Sequence, residues 1–346
     1  MEFRRRGQQP GGDPLAPGAV TPFRPRWPWG NRHLQSILPS ILPRHRLRRR
    51  AAKLLAASRE LLLDCGGGVR LQAWHAAPAT PSGRLAILLH GWEGSAESYY
   101  IISLAHCLFE SGVEVVRLNL RDHGDTHHLN EGIFHSCRLD EVCGAVGAIA
   151  KRFPGASPWL IGFSLGGNFA LRVGASDDAR VGPLAGIIAV SPVLHPDSAM
   201  RAMERGMPLY QRYFVRKWSR SLQRKQELWR DDLVRREIYG YGDLRRMTEV
   251  LVADHTEFPS LQHYLDGYAI TGRRLESLRA PATILAALDD PIIPASDLAL
   301  LARSSNLRIV TTGKGGHMGF LTSPFASTSW VNEFVCGTMG LSGPAD

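Results

Sequence analysis

The chain has 346 residues, 44% of them hydrophobic, which suits one large α/β domain with an insertion or two ordinary domains and excludes a disordered composition. Its net charge of +9 is concentrated in the first ~53 residues, so the body is near neutral and charge does not point to a nucleic-acid binder. No apolar run approaches the ~20 residues that span a bilayer, and five cysteines without a C-x-x-C pair support neither a disulfide framework nor a zinc cluster.

Those cysteines are expected to be small buried thiols in a reducing compartment. The opening arginines are followed by Gln, Pro and Gly instead of an apolar stretch, so no secretory signal is read. A cytoplasmic protein is the expectation. Arg4-Arg5-Arg6 and the Arg-rich run at 44–50 form a basic arm, read first as a solvated tail and, as the alternative, as a segment that leans on anionic headgroups at a membrane surface.

Residues 1–28 are rich in Pro, Gly and Arg and are expected to form a poorly ordered tail. Residues 29–346 are expected to form the folded domain. The stretch 31–39 carries the first sustained apolar content and should pack on it. Residues 60–64 and 70–75 alternate polar with apolar around Gly66-Gly67-Gly68, which predicts an antiparallel hairpin. Strands at 85–89, 113–120, 159–161 and 186–190 then alternate with helices at 97–110 and 139–152 and with one after Ser164. Such alternation predicts βαβ units and a parallel sheet covered on both faces.

The rhythm breaks from about 195 to 278, where the pattern is helical and rich in Arg, Tyr and Trp. It resumes with a strand at 282–288, a helix near 295–304, a strand at 307–311 and a last helix near 324–335. The predicted fold is therefore α/β, with an eight-stranded, mostly parallel sheet and a helical lid inserted after the sixth strand.

Gly162-Phe163-Ser164-Leu165-Gly166 ends the fifth strand and opens a helix, the setting of a nucleophile elbow. Glycines flank the serine because a side chain at either place would strike the neighbouring helix or strand. With 35 glycines in the chain, chance supplies roughly a quarter of such a match, so placement must decide. A nucleophilic serine needs a base, a group that orients the base, and oxyanion donors. Open α/β sheets offer them at the carboxyl ends of their strands.

Asp289 and Asp290 end the seventh strand, and His317 stands in a glycine-rich loop after the eighth. The order Ser164, Asp290, His317 is that of α/β-hydrolase triads. Asp290 is favoured over Asp289 because it directly precedes Pro-Ile-Ile-Pro, a turn that aims its side chain across the strand end. The two oxyanion donors are expected to be the backbone N–H groups of Leu165 and of Trp92, the latter in His90-Gly91-Trp92-Glu93-Gly94-Ser95 after the third strand.

These residues resemble the α/β-hydrolases, and more narrowly the YheT-type group. The matching pieces include Gly30-Asn31-Arg32-His33-Leu34-Gln35-Ser36-Ile37-Leu38-Pro39, His90 to Ser95, Asn119-Leu120-Arg121-Asp122-His123-Gly124 and Gly132-Ile133-Phe134-His135-Ser136. The elbow through Asn168, Ala287-Leu288-Asp289-Asp290-Pro291 and Gly315-Gly316-His317-Met318-Gly319-Phe320 complete the set. The resemblance implies hydrolysis of carboxylic esters, short- or medium-chain acyl or lipid, by a Ser–Asp–His triad with no cofactor. An acyltransferase using the same triad and a catalytically idle scaffold that binds a ligand or partner are the alternatives. The basic N-terminus and the charge-rich lid depart from the pattern and leave the substrate open.

Three rival signals carry less. His123, His127, His128 and His135 with Asp122 and Asp125 match no metal-ligand spacing, and roles in ordering their loop are expected instead. His135 and Asp140 fit an H-x-x-x-x-D pattern that chance explains. The Arg/Trp/Tyr-rich stretch 210–236, interleaved with Glu227, Asp231 and Asp232, reads as an amphipathic, salt-bridged lid helix and not as a nucleic-acid surface.

Overall fold

A computed structural model describes residues 22–41, 44–229, 238, 240, 242–322 and 329–341. Strands β1 (Arg59–Asp64), β2 (Arg70–Ala76), β3 (Leu85–Leu89), β4 (Glu114–Leu118), β5 (Trp159–Phe163), β6 (Gly186–Val190), β7 (Ala282–Ala287) and β8 (Leu307–Thr312) form one sheet. Their order is β1-β2-β4-β3-β5-β6-β7-β8. The β1–β2 hairpin and the β2–β4 pair are antiparallel, and every other pairing is parallel.

Covering both faces makes the central strands apolar throughout: every residue of β3 and of β6 is buried. Side chains alternate between two cores. Leu85, Ile87 and Leu89 point to one, and Ala86 and Leu88 to the other. Helices α5 (Leu139–Arg152) and α6 (Leu165–Ala175) cover the first face; α4 (Tyr99–Glu110) and α11 (Trp330–Thr338) cover the second. Ile87 is fully buried, so Ile87→Ala would cost about 2–5 kcal/mol.

Before the sheet come three helices: α1 (Arg32–Ile41), α2 (Arg44–Arg50) and α3 (Ala52–Ala57). The arginine run at 44–50 is thus helical, because Leu47 and Leu54 anchor it in the second core. Residues 1–21 of the expected tail lie outside the described residues. Farther along that tail, Phe23 packs on Phe320 and Trp330, with ring centroids 5.6 and 5.4 Å away.

The insertion consists of α7 (Pro196–Arg205), α8 (Pro208–Trp229), α9 (Leu244–His255) and α10 (Leu261–Gly267), with no strand among its described residues. Asp243 and Ser260 accept backbone N–H groups at the starts of α9 and α10, as capping residues do. Trp218, Leu222, Met247 and Leu251 give the lid its own core, closed below by Ile133. The ion pairs of α8 reach down to the His/Asp loop: Lys225 meets Asp122 at 2.8 Å and Arg224 meets Asp125 at 3.1 Å. Asp231 and Asp232 lie outside the described residues.

Several element ends differ from expectation. β5 runs on to Phe163, since Gly162 pairs in register with both Leu89 and Ala189. The segment after Pro294 is a short 3-10 helix (Ala295–Leu300), because Leu301 is drawn into a bridge with Gly272. The last helix begins at Trp330, capped by Ser329; residues 323–328 are outside those described.

Candidate active site

Ser164 sits between β5 and α6 with φ 52° and ψ −117°, a left-handed conformation that L-residues adopt only under constraint. Its N–H donates to the Val190 carbonyl at 2.9 Å, and its carbonyl accepts from Asn168 N–H at 3.0 Å. Two glycines make the turn possible. A Cβ on Gly162 would overlap the Gly166 carbonyl, and one on Gly166 would overlap the carbonyls of Leu89 and His90. The hydroxyl is lifted above the strand ends.

His317 arrives from the loop after β8. Its Nε2 lies 3.0 Å from Ser164 Oγ, and its Nδ1 lies 2.9 Å from Asp290 Oδ2. The carboxylate can only accept, so Nδ1 carries the proton and Nε2 is free to accept from the serine hydroxyl. Asp290 Oδ1 in turn accepts the N–H groups of Ile292 and Ile293 at 2.8 and 3.0 Å. The Pro-Ile-Ile-Pro turn therefore holds the carboxylate. Asp289 takes a different part: its Oδ1 accepts from Gly316 N–H at 2.9 Å, bracing the histidine loop. The side chains of His317 and Asp290 are both buried.

Trp92 follows β3 and Leu165 follows the serine. Among the described residues neither N–H donates to a protein acceptor. The loop around Trp92 is pinned from several sides. Gly91 N–H donates to Tyr100 Oη at 3.0 Å, and Gly94 N–H to the Gly91 carbonyl at 2.9 Å. His90 Nε2 accepts from Leu120 N–H at 3.2 Å, so its Nδ1–H donates to the Gly91 carbonyl at 2.8 Å. Burial holds the His90 imidazole down at about 4. The Trp92 ring stacks on Phe214 of α8 (5.1 Å, 9°) and meets Trp218 edge-on.

Two cavities meet at His317. The first holds Ser164, Leu165 and Trp92 and is walled by lid residues such as Met200, Met203, Leu244 and Leu251. The second lies between α1, the Trp92 loop and α8, and is lined by Tyr99, Tyr100, Tyr210, Tyr213 and Lys217. Trp92, Phe214, Ile292 and Met318 belong to both. The first chamber is mostly apolar with a few convergent polar groups, as small-molecule sites are.

Several supporting residues had no sequence signal of their own. Ser36 of α1 accepts the His317 N–H at 2.8 Å. Gln35 of α1, buried, bonds both ways with Leu321: its Nε2 to the carbonyl and its Oε1 to the N–H, each at 2.8 Å. Asn168, one turn beyond the serine, donates to the Val193 and Tyr268 carbonyls at 2.8 and 2.7 Å. For Ser36 and Gln35, their place in the Gly30–Pro39 motif was the available hint.

The His/Asp loop is structural glue. His123 Nδ1 bonds the Arg121 carbonyl at 2.7 Å, and His127 Nε2 bonds Ser221 Oγ of the lid at 2.8 Å. Asp122, with φ 57°, receives Phe134 N–H at 2.8 Å. No group of three or more His, Cys, Asp or Glu among the described residues could hold a metal ion. The H-x-x-x-x-D pair is split: His135 lines the first cavity, while Asp140 is exposed and pairs with Arg180.

Residues 86–324 match the family described as the alpha/beta hydrolase fold. The chain is 26% identical over 326 residues to an Escherichia coli protein named "Putative esterase YheT", covering 86% of this chain and 87% of that one. It is 23% identical over 239 residues to the mouse "Phospholipase ABHD3", covering 68% of this chain and 58% of the relative. In solved structures, an esterase from Pyrococcus furiosus superposes with a TM-score of 0.56 at 16% identity, covering 85% of this chain and 94% of that one. The strand order, the helices on both faces and these matches agree: this chain, similar to the YheT protein over most of both lengths, belongs to the alpha/beta hydrolase fold family.

Proposed function

We propose that this protein hydrolyses carboxylic esters, of short or medium acyl chains or of lipids, through an acyl-enzyme on Ser164. His317 Nε2 takes the hydroxyl proton as Ser164 Oγ attacks the carbonyl carbon. Asp290 holds the imidazole in the required tautomer and stabilises the imidazolium. The N–H groups of Trp92 and Leu165 receive the oxyanion, where one donor is worth ~3 kcal/mol of barrier. As the carbonyl re-forms, the imidazolium protonates the departing alcohol oxygen. Water, deprotonated by the same nitrogen, then attacks the acyl carbon and Ser164 leaves with the proton.

The observation that carries this reading is the unbroken pair of hydrogen bonds, Ser164 to His317 at 3.0 Å and His317 to Asp290 at 2.9 Å, at the floor of an apolar chamber. The two cavities support a division of the substrate. The apolar chamber beside Ser164 and Leu165 suits the acyl chain. The tyrosine-lined one, which reaches His317 without Ser164, suits the alcohol that this histidine must protonate. The esterase and phospholipase names of the relatives fit the same class of reaction, and five free thiols fit a reducing, cytoplasmic setting. Rates across p-nitrophenyl esters from acetate to palmitate test it. Turnover of at least part of the series is expected; a folded protein that cleaves none of them contradicts the proposal.

A further inference from the structure

We infer that the outer face of α8 is a docking surface for anionic lipid bilayers, placed so that an ester drawn from the bilayer enters through the tyrosine-lined cavity. This rests on the ester-hydrolase reading for what happens after docking, though not for docking itself. Helix α8 is 22 residues long, about 33 Å at 1.5 Å per residue. Its buried side chains are Tyr210, Trp218, Leu222, Lys225 and Gln226. On the opposite side Arg212, Arg216, Arg220 and Arg224 recur every fourth residue, all exposed. At about 100° per residue they fall on one stripe. Arg224 pairs with Asp125, whereas Arg212, Arg216 and Arg220 have no acidic partner among the described residues. Glu227 is the acid on that stripe. Four like charges at this spacing repel one another, so the row is held against its own electrostatics and is relieved by a negative counterface.

Charge is half of the pattern. Leu209 and Tyr213, 50% and 40% exposed, share the stripe at its start, and Leu228 is exposed at its end. A helix with arginines between exposed Leu and Tyr suits the plane of a bilayer interface, where the apolar groups enter the headgroup layer and the guanidinium groups meet phosphate. The apolar pair at the start is also the rim of a route inward. Leu209 and Tyr213 line the same cavity as Ile292, Met318 and His317. Helix α1 adjoins the start of α8, since His33 Nδ1 meets Tyr210 Oη at 2.9 Å, and beside His33 stands exposed Arg32. No helix among the described residues is long and apolar enough to cross a membrane, so attachment through this face is peripheral.

The test is co-sedimentation of the full chain with vesicles of phosphatidylcholine alone, or of phosphatidylcholine with about a third phosphatidylglycerol, at low and high salt. Binding at least tenfold stronger to the anionic vesicles, and weakened by salt, is expected. The triple variant Arg212→Glu/Arg216→Glu/Arg220→Glu should lose that binding tenfold or more. Leu209→Ser/Tyr213→Ser should lower the rate on a vesicle-borne ester relative to a soluble short-chain ester by at least fivefold. Equal binding to both vesicles, or a triple variant that binds as the wild type does, overturns the inference. So does tighter binding to a DNA duplex than to anionic vesicles, which assigns the stripe to nucleic acid. A wild type that docks yet cleaves no ester contradicts only the hydrolase reading; one that cleaves soluble esters yet ignores vesicles contradicts only the docking.

Discussion

The backbone N–H of His317 donates to the hydroxyl of Ser36 at 2.8 Å, so the loop that carries the histidine is tied to the first helix of the chain. The tie matters because that loop is strained. Gly316, Met318 and Phe320 all have φ between 45° and 64°, and such a loop keeps its shape only while its surroundings over-determine it.

Ser36→Ala removes the acceptor and leaves the His317 N–H unpaired. One such bond is worth about 1 kcal/mol, which lowers Tm by about 2 °C in a domain of this size. Looser placement of His317 should cut kcat about threefold to tenfold with KM little changed, since in the proposed mechanism the imidazole acts in the chemical step. Ser36→Thr, which keeps a hydroxyl, should recover most of the rate. Steady-state kinetics on one p-nitrophenyl ester checks this; a kcat equal to wild type in the alanine variant contradicts it.

The lid is fastened from below by a buried charge pair. Lys225 Nζ meets Asp122 Oδ1 at 2.8 Å and also donates to the carbonyls of His127 and Asn130. Burial pulls the lysine's pKa down and pushes the Asp122 carboxyl up, so each depends on the other. Lys225→Met strands the carboxylate and should cost about 3–5 kcal/mol, while Lys225→Met with Asp122→Asn should restore much of that loss. Urea unfolding of the two variants measures the difference. A double variant as unstable as the single one contradicts the coupling.

Stability should fall on acidification through buried histidines. Burial keeps His90 neutral in the folded protein down to about pH 4, whereas in the unfolded chain it takes a proton near pH 6.5. Between those limits the unfolded state binds the extra proton. The stabilisation is therefore complete above about 6.5 and is lost progressively toward 4. Burial lowers His127 to about 4 and His135 to about 3, in the same sense. At pH 5 His90 alone accounts for about 2 kcal/mol. The urea midpoint should thus be clearly lower at pH 5 than at pH 7; equal midpoints contradict the assignment.

Chain-length preference should respond to the wall of the apolar chamber. Met203 lines it, and Met203→Trp fills space that a long acyl chain would use. The ratio of laurate to butyrate hydrolysis should fall about tenfold or more, in line with what a few methylenes are worth in a pocket. An unchanged ratio would place the chain elsewhere.

Much of this was legible in the sequence, for physical reasons. Period and punctuation reveal βαβ alternation, so the strands and the sheet followed from runs such as Leu85–Leu89 and from the glycines of the elbow. That Ser164, Asp290 and His317 lie together was readable because each stands just past a strand end, where a parallel sheet brings distant residues within hydrogen-bond reach. What stayed hidden depends on long-range packing between irregular segments. Nothing near Ser36 announces His317, 281 positions away. Lys225, read as one charge in a surface helix, is instead buried against Asp122. The arginine run at 44–50 looked like solvated tail, and only Leu47, a lone apolar residue in that run, marks its docking on the second core.

The most direct measurement is labelling by a fluorophosphonate, read by mass spectrometry of the modified peptide. The wild type should react at Ser164 Oγ, with labelling abolished in Ser164→Ala and cut at least a hundredfold in His317→Ala, since without the imidazole no base takes the serine's proton. Absence of label on folded wild type, or equal labelling of Ser164→Ala, would contradict a nucleophilic Ser164.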